Sequence, residues 1–215
     1  MKSILTSSVM KNHDPFVQLT PFQRSQVVEL REVAKLCYER GWTWCTAGNF
    51  SVRGTQDTVW MSPSGISKRD INIDGFVPMS LSTGKPYSNE KGTPSGEASV
   101  HLEIYKCIVD AKTVVHSHPP SFAAFSKGKR EMVFEGHEML KALGISDHQT
   151  PLKISLTPNP TPQEMTKLKL GEEHLNLSIR AVVFEGHGVY AWGKSPLEAL
   201  VVLEVLEYLC SQQVK

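Results

Sequence analysis

Short β-branched runs alternate with helical patterns along almost the whole of this 215-residue chain. That alternation restricts it to a sheet with helices packed against it. The first helical signature is Thr20-Pro21-Phe22-Gln23, a capping box in which Thr20 caps, Pro21 takes the first helical position and Gln23 reaches back. Val27, Leu30, Val33, Ala34, Cys37 and Tyr38 then share one helical face, which Gly41 ends. Strands are expected at Val59–Ser62, near Phe76–Ser80, and at Lys112–His118, Leu152–Leu156, Ala181–Phe184 and Val189–Trp192. Helices are expected at Gly96–Asp110, at Phe134–Leu143 before Gly144, and at Thr161–Leu175 behind Pro162. Ser195-Pro196-Leu197-Glu198 reads as a second capping box, opening a helix that runs to about Gln212. The pattern predicts a single α/β domain over residues 20–215, its central sheet covered by helices on both faces, behind an N-terminal extension of residues 1–19. It does not give the strand order.

Composition narrows the partners. Basic residues number 23 and acidic residues 22, a net charge of +1, so no general field for nucleic acid or an anionic membrane surface is expected. No apolar run reaches the about 18 residues of a membrane span. The polar stretch Met1–Asp14 holds no signal-peptide core. Cys37, Cys45, Cys107 and Cys210 match no zinc-ribbon or redox spacing, which predicts free thiols in a reducing cytoplasm.

The histidines carry the first chemical signal. His116 and His118 stand two apart in Val-Val-His-Ser-His-Pro-Pro. On a strand that spacing points both side chains to one face, close enough to share an ion. A catalytic zinc site takes three protein ligands and leaves one position open. His187, between Gly186 and Gly188, is the candidate third ligand, because glycines let the backbone turn and pass close to a bound group. His13, His137, His148 and His174 have no such setting and are expected in loops or at the surface. His101, inside the expected Gly96–Asp110 helix, reads as a packed histidine.

Three clusters of small residues offer turn N–H groups and hydroxyls to an anion: Ala47-Gly48-Asn49-Phe50-Ser51, Ser62-Pro63-Ser64-Gly65 and Thr93-Pro94-Ser95-Gly96. The third also opens a helix, a favoured phosphate position. Each alone is above all a turn. Lys68 would add a point charge beside the second cluster. Glu97, at the helix start, suits the helix dipole as well as catalysis. Glu138, from its spacing alone, reads as an exposed glutamate on a short helix.

Taken in order, Ala-Gly-Asn-Phe-Ser (47–51), Ser-Pro-Ser-Gly-Ile (62–66), Pro-Ser-Gly-Glu (94–97), His-Ser-His-Pro (116–119) and Gly-His-Gly-Val-Tyr-Ala-Trp-Gly (186–193) resemble the class II aldolase/adducin family, from about Pro21 to Gln212. The resemblance implies the single-domain class II aldolase-like fold, one zinc ion on His116, His118 and His187, and a substrate phosphate on Gly48, Asn49, Ser64, Gly65, Ser95 and Gly96. It implies a fourfold-symmetric homotetramer with active sites between neighbouring subunits. Phe-Glu-Gly-His-Glu-Met-Leu-Lys-Ala-Leu-Gly (134–144) and Val-Tyr-Ala-Trp-Gly-Lys (189–194) are most similar to the family's dehydratase branch. In that branch the residue matching Glu138 is the acid/base on a phosphorylated sugar. Glu97 matches the acid/base of the sugar-phosphate aldolases, so an aldolase or epimerase is the alternative. A non-catalytic adducin-like interaction domain is disfavoured, since adducin heads lack the zinc histidines and this chain has all three.

Overall fold

The computed structural model describes residues 19–55, 57–88 and 91–214. The expected N-terminal extension therefore lies, apart from Leu19, outside the described residues. In chain order the main elements are α1 (Pro21–Glu39), β1 (Asn49–Arg53), β2 (Thr58–Met61), β3 (Val77–Ser80), α2 (Ala98–Cys107), β4 (Thr113–Ser117), α3 (Pro120–Ser126), β5 (Glu131–Phe134), β6 (Leu152–Ser155), α4 (Pro162–Met165), β7 (Ala181–Phe184), β8 (Gly188–Gly193) and α5 (Pro196–Ser211). Six strands form the central sheet in the order β3-β2-β1-β4-β8-β7, and every neighbouring pair is antiparallel. β5 and β6 pair separately as a two-stranded sheet.

The sheet is covered on both faces, as the alternation predicts. Successive side chains of a strand point to opposite faces. Phe50, Val52, Val115, Ala181 and Val183 accordingly join the cluster under α1 and α5, whose buried residues include Leu30, Val33, Leu203 and Leu206. Their neighbours Val114, Val182 and Phe184 join the other cluster, with Val100 and Ile104 of α2. Each such fully buried Leu, Ile or Val contributes roughly 1.5–3 kcal/mol of burial free energy. The Thr20 box forms with both bonds, Thr20 N–H to Gln23 Oε1 at 2.9 Å and Gln23 N–H to Thr20 Oγ1 at 3.2 Å.

Several boundaries depart from the sequence reading. The expected helix Gly96–Asp110 contracts to Ala98–Cys107, because Ile108 turns to extended backbone (φ −115°, ψ 93°). Phe134–Leu143 is not one helix. Glu131–Phe134 alternates exposed and buried residues as strand β5, Gly136 breaks the run at φ 73°, and a 3₁₀ turn occupies Glu138–Leu143. Thr161–Leu175 is helical only over Pro162–Met165, with a 3₁₀ turn at Glu172–His174. Leu168, Leu170 and Leu175 pack one by one beside α2 instead of forming a helical face. The second box closes differently: Ser195 accepts from Glu198 N–H, but Glu198 Oε2 takes the Lys194 N–H at 2.9 Å rather than that of Ser195. The proline-rich run after Leu156 guards the sheet edge, where Thr157 bridges β7 at Phe184 and the prolines beyond it cannot donate to another strand.

Candidate active site

β1 begins, β4 ends and β8 begins at the same end of the sheet, and the site is built there. Asn49 lies opposite His116, and His116 opposite Tyr190, in one row across three strands. His116 is fully buried. His118 leaves the strand end, fixed by its N–H to the Trp42 carbonyl oxygen at 2.9 Å. His187 sits in the turn between β7 and β8. Candidate ligand atoms of these three histidines lie within 4.8 Å of one another. Glycine is required beneath them: a Cβ on Gly188 would stand 2.5 Å from the Ser117 carbonyl oxygen and 2.9 Å from His116 Cε1. Gly48, at φ 74°, passes as close to the His116 carbonyl oxygen, which a Cβ there would meet at 2.8 Å.

The electrostatics suit a cation. His116 Nδ1 donates to the Val189 carbonyl oxygen at 3.0 Å, so its Nε2 presents a lone pair. That Nε2 faces His118 Nε2 at 2.8 Å. Two imidazole nitrogens so placed need a proton or a cation between them. Burial and the neighbouring histidines hold the His116 pKa well below its ordinary value. Burial, then His187, brings His118 down to about 4, and burial lowers His187. Three neutral imidazoles at one point are the donor set a divalent metal takes without proton release. The residues thus fit a metal ion.

Glu97, the residue capping α2, closes the open side. Its carboxylate oxygens lie 3.4 Å from His116 Nε2 and 3.6 Å from His187 Nε2, and Oε2 accepts from Asn49 Nδ2 at 2.7 Å. Among the phosphate candidates, the three clusters come together as one wall. Ser62 Oγ accepts from the Phe50 N–H at 3.0 Å, and Ser64 N–H donates to the Thr93 carbonyl oxygen at 2.8 Å. Pro63 bridges Pro94, which brings Ser64 and Gly65 beside Ser95 and Gly96. Lys68 is not a solvated lysine. It is buried, its Nζ gives hydrogen bonds to the Thr46 and Ile66 carbonyl oxygens at 3.1 and 3.0 Å, and burial lowers its pKa to about 8. Asn49 departs from the expectation in one respect: both ends of its side-chain amide are committed, to Glu97 and to His101.

Glu138 is not brought to the histidines within the chain. It is exposed on the 3₁₀ turn, paired with Lys141 at 2.7 Å and His148 at 3.4 Å. The Lys141 hydrogen bond lowers its pKa. Tyr190 escaped the sequence reading. Its ring stacks on His116 at 3.8 Å between centroids and 8° between planes, and its buried hydroxyl faces Glu97 without an aligned hydrogen bond. The strand period carries the signal for it, since Tyr190 shares a sheet face with Val182 and Trp192.

The fold and this site define a class. The family model of the class II aldolase and adducin N-terminal domain matches residues 28–214, and the chain belongs to that family. Within it, the chain is similar to the methylthioribulose-1-phosphate dehydratase of Methylococcus capsulatus, 33% identical over 86% of this chain and 91% of the relative. The enzyme of the same name from Bacillus subtilis is 30% identical over 87% of this chain and 91% of its own length. Among solved structures, an L-fuculose-1-phosphate aldolase from Thermus thermophilus superposes with a TM-score of 0.67 at 24% identity, covering 88% of this chain and 94% of that one. That likeness speaks for the fold. Among the described residues no helix is long and apolar enough to cross a membrane, and all four cysteines are free.

Proposed function

We propose that this chain is a cytoplasmic lyase of methionine salvage that removes water from 5-methylthioribulose 1-phosphate and yields 2,3-diketo-5-methylthiopentyl 1-phosphate. One conjunction carries the reading. Relatives bearing the dehydratase name align with most of the chain, and the aligned span holds three converging histidines with a carboxylate against them. His116, His118 and His187 would hold one zinc ion per subunit, three nitrogens and an open fourth position being a catalytic zinc set. When bound, the ion supplies Lewis-acid polarisation of the C2 carbonyl, which acidifies the C3–H bond.

The elimination breaks C3–H and C4–O. The C3–H electron pair becomes the C3–C4 double bond, the C4 hydroxyl leaves as water with one proton, and the resulting C3 enol tautomerises to the second ketone. Glu138 takes the C3 proton and passes it to the leaving hydroxyl. In a homotetramer with active sites between neighbours, an exposed carboxylate of this kind would reach the histidines of the adjoining subunit, where burial would oppose the lowering that Lys141 exerts on it in the single chain. Glu97 stays beside its own histidines in a supporting role, accepting a hydrogen bond from the C3 hydroxyl. Ser64, Gly65, Lys68, Ser95, Gly96 and Gly48 hold the C1 phosphate and so orient the reacting carbons. Asn49 joins them through its backbone only, its amide being committed to Glu97 and His101.

The position of Glu97 favours one second reading, an aldolase or epimerase in which that residue is the acid/base. The deciding measurement is turnover of methylthioribulose 1-phosphate beside fuculose 1-phosphate and ribulose 5-phosphate, each with and without a chelator. Chelator-sensitive turnover of the first alone supports the dehydratase. Turnover confined to the other two overturns it.

A further inference from the structure

We infer that His101 is a positioning residue: through the Asn49 amide it fixes the carboxylate of Glu97 against the histidine cluster. The inference rests on the reading of Glu97 as a supporting group. It begins with a chain of buried hydrogen bonds. Glu97 Oε2 to Asn49 Nδ2 is 2.7 Å, Asn49 Oδ1 to His101 Nε2 is 2.5 Å, His101 Nδ1 to Ser51 Oγ is 2.7 Å, and Ser51 Oγ to the Tyr105 hydroxyl is 2.9 Å. Asn49, Ser51, His101 and Tyr105 are all buried, so no water substitutes for a lost partner.

Only one arrangement of protons satisfies this chain. A carboxylate accepts hydrogen bonds, so the Asn49 group facing Glu97 is the amide N–H. The Asn49 oxygen must then face His101, whose Nε2 therefore carries the ring proton. Nδ1 is left as an acceptor for the Ser51 hydroxyl, and Ser51 in turn accepts from Tyr105. Burial brings His101 down to about 3, so the ring is neutral under working conditions and has one proton to place. Were that proton on Nδ1, the Asn49 oxygen would be buried without a donor and the amide would be free to flip its oxygen toward Glu97. The strands add the geometry. Asn49 and Ser51 are two apart on β1 and face α2, so one imidazole spans both. The ring nitrogens of His101 are bonded to Asn49 and Ser51, so its hydrogen-bonded route to Glu97 runs through Asn49, while its ring edge rests on Tyr190 at 5.6 Å between centroids.

Two substitutions separate this role from simple packing. In His101→Gln the amide nitrogen takes the place of Nε2 and can still donate to Asn49. In His101→Asn the shorter amide reaches only toward Ser51. Asn leaves a void larger by one methylene, so a double variant with Glu97→Gln, in which a pure packing loss would add to that of Glu97→Gln, separates packing from positioning. With methylthioribulose 1-phosphate, His101→Asn should lower kcat about tenfold with KM and bound metal unchanged, and His101→Gln should recover most of that loss. Because His101 acts through Glu97, the double variant Glu97→Gln/His101→Asn should be no slower than Glu97→Gln alone. A silent His101→Asn, equal losses in the Asn and Gln variants, or additive losses in the double variant would each overturn the inference. A silent Glu97→Gln would instead sink the reading of Glu97. Should the variants fail to fold, nitrogen-15 NMR of the histidine-labelled parent protein decides: the His101 ring must be the Nε2–H tautomer, and an Nδ1–H ring contradicts the assignment.

Discussion

The two glutamates singled out by sequence stand in opposite surroundings. Glu97 caps a ten-residue helix under the central sheet, between two histidines and a buried asparagine. Glu138 rides a 3₁₀ turn in the connection between β5 and β6, exposed and held by Lys141 and His148. The first stands at a helix start and is held by Asn49 and His116 from neighbouring strands; the second stands on a turn whose Leu140 and Leu143 pack into the core with α5 while its own side chain meets only Lys141 and His148. A rigid sheet end is the better place for groups that must keep a fixed geometry, and a projecting turn is the better place for a group that must reach another subunit. Under the proposed function, the chain would carry one part of the site within its core and offer the other outward.

If the sheet end holds the metal, removing one ligand should have the largest effect. His118→Ala is expected to abolish both bound zinc and turnover, read by metal analysis of the purified protein. Full zinc occupancy in that variant would show that the three histidines are not the ligands. The next largest effect belongs to the outward carboxylate. Positioned acid/base groups contribute about 10²–10⁴-fold, and Glu138→Gln should cost that much in kcat with zinc still bound. Glu97→Gln should cost less, about tenfold, as a hydrogen-bonding partner does when it is lost. A near-silent Glu138→Gln beside a dead Glu97→Gln would reverse the comparison and favour the aldolase reading.

Much of the sheet end was legible because its signals are local. His116 and His118 are two apart at a strand end, and His187 stands between Gly186, at φ 61°, and Gly188, where the packing leaves no room for a Cβ. The role of Asn49 was not legible, because its partner His101 is 52 residues away on another element. β1 itself was missed. Gly48 and Gly54 bracket Asn49-Phe50-Ser51-Val52-Arg53, and turn signals outweighed an alternation only five residues long. The hairpin region was read worst. Its β5 strand buries only Met132 and Phe134, too little periodicity to oppose the helical pattern that follows. Lys68 was read as a point charge beside the second cluster; its burial was not legible, because that depends on carbonyl oxygens from two loops, which no spacing announces.

The buried end should also be the acid-sensitive end. His101 and His116 are fully buried, with His101 at about 3 and His116 well below its ordinary value. In the unfolded chain both titrate near 6.5. Between the folded and unfolded values the unfolded chain binds more protons, so the stabilisation is complete above pH 6.5 and is lost as pH falls. Each histidine contributes a slope of up to about 1.4 kcal/mol per pH unit. Urea midpoints of the metal-free protein should therefore fall from pH 7 to pH 5, and His101→Gln should remove one histidine's share. A flat profile over that range would mean that these rings are protonated in the folded state.

The smallest effect concerns the phosphate wall, where the same serine touches both halves of the argument. Ser95 Oγ accepts from the Glu97 N–H at 3.3 Å, and it lies beside the Ser64 loop that bridges to Pro94. If its main work is to bind phosphate, Ser95→Ala should raise KM for methylthioribulose 1-phosphate several-fold, in line with the about 1 kcal/mol of one hydrogen bond. Metal content and kcat should stay near the parent values, and the dephosphorylated sugar should bind both proteins equally. If its main work is to hold the start of α2, and with it Glu97, the loss should fall on kcat and be the same for either substrate. A kcat effect without a KM effect would move Ser95 from the phosphate wall to the support of Glu97.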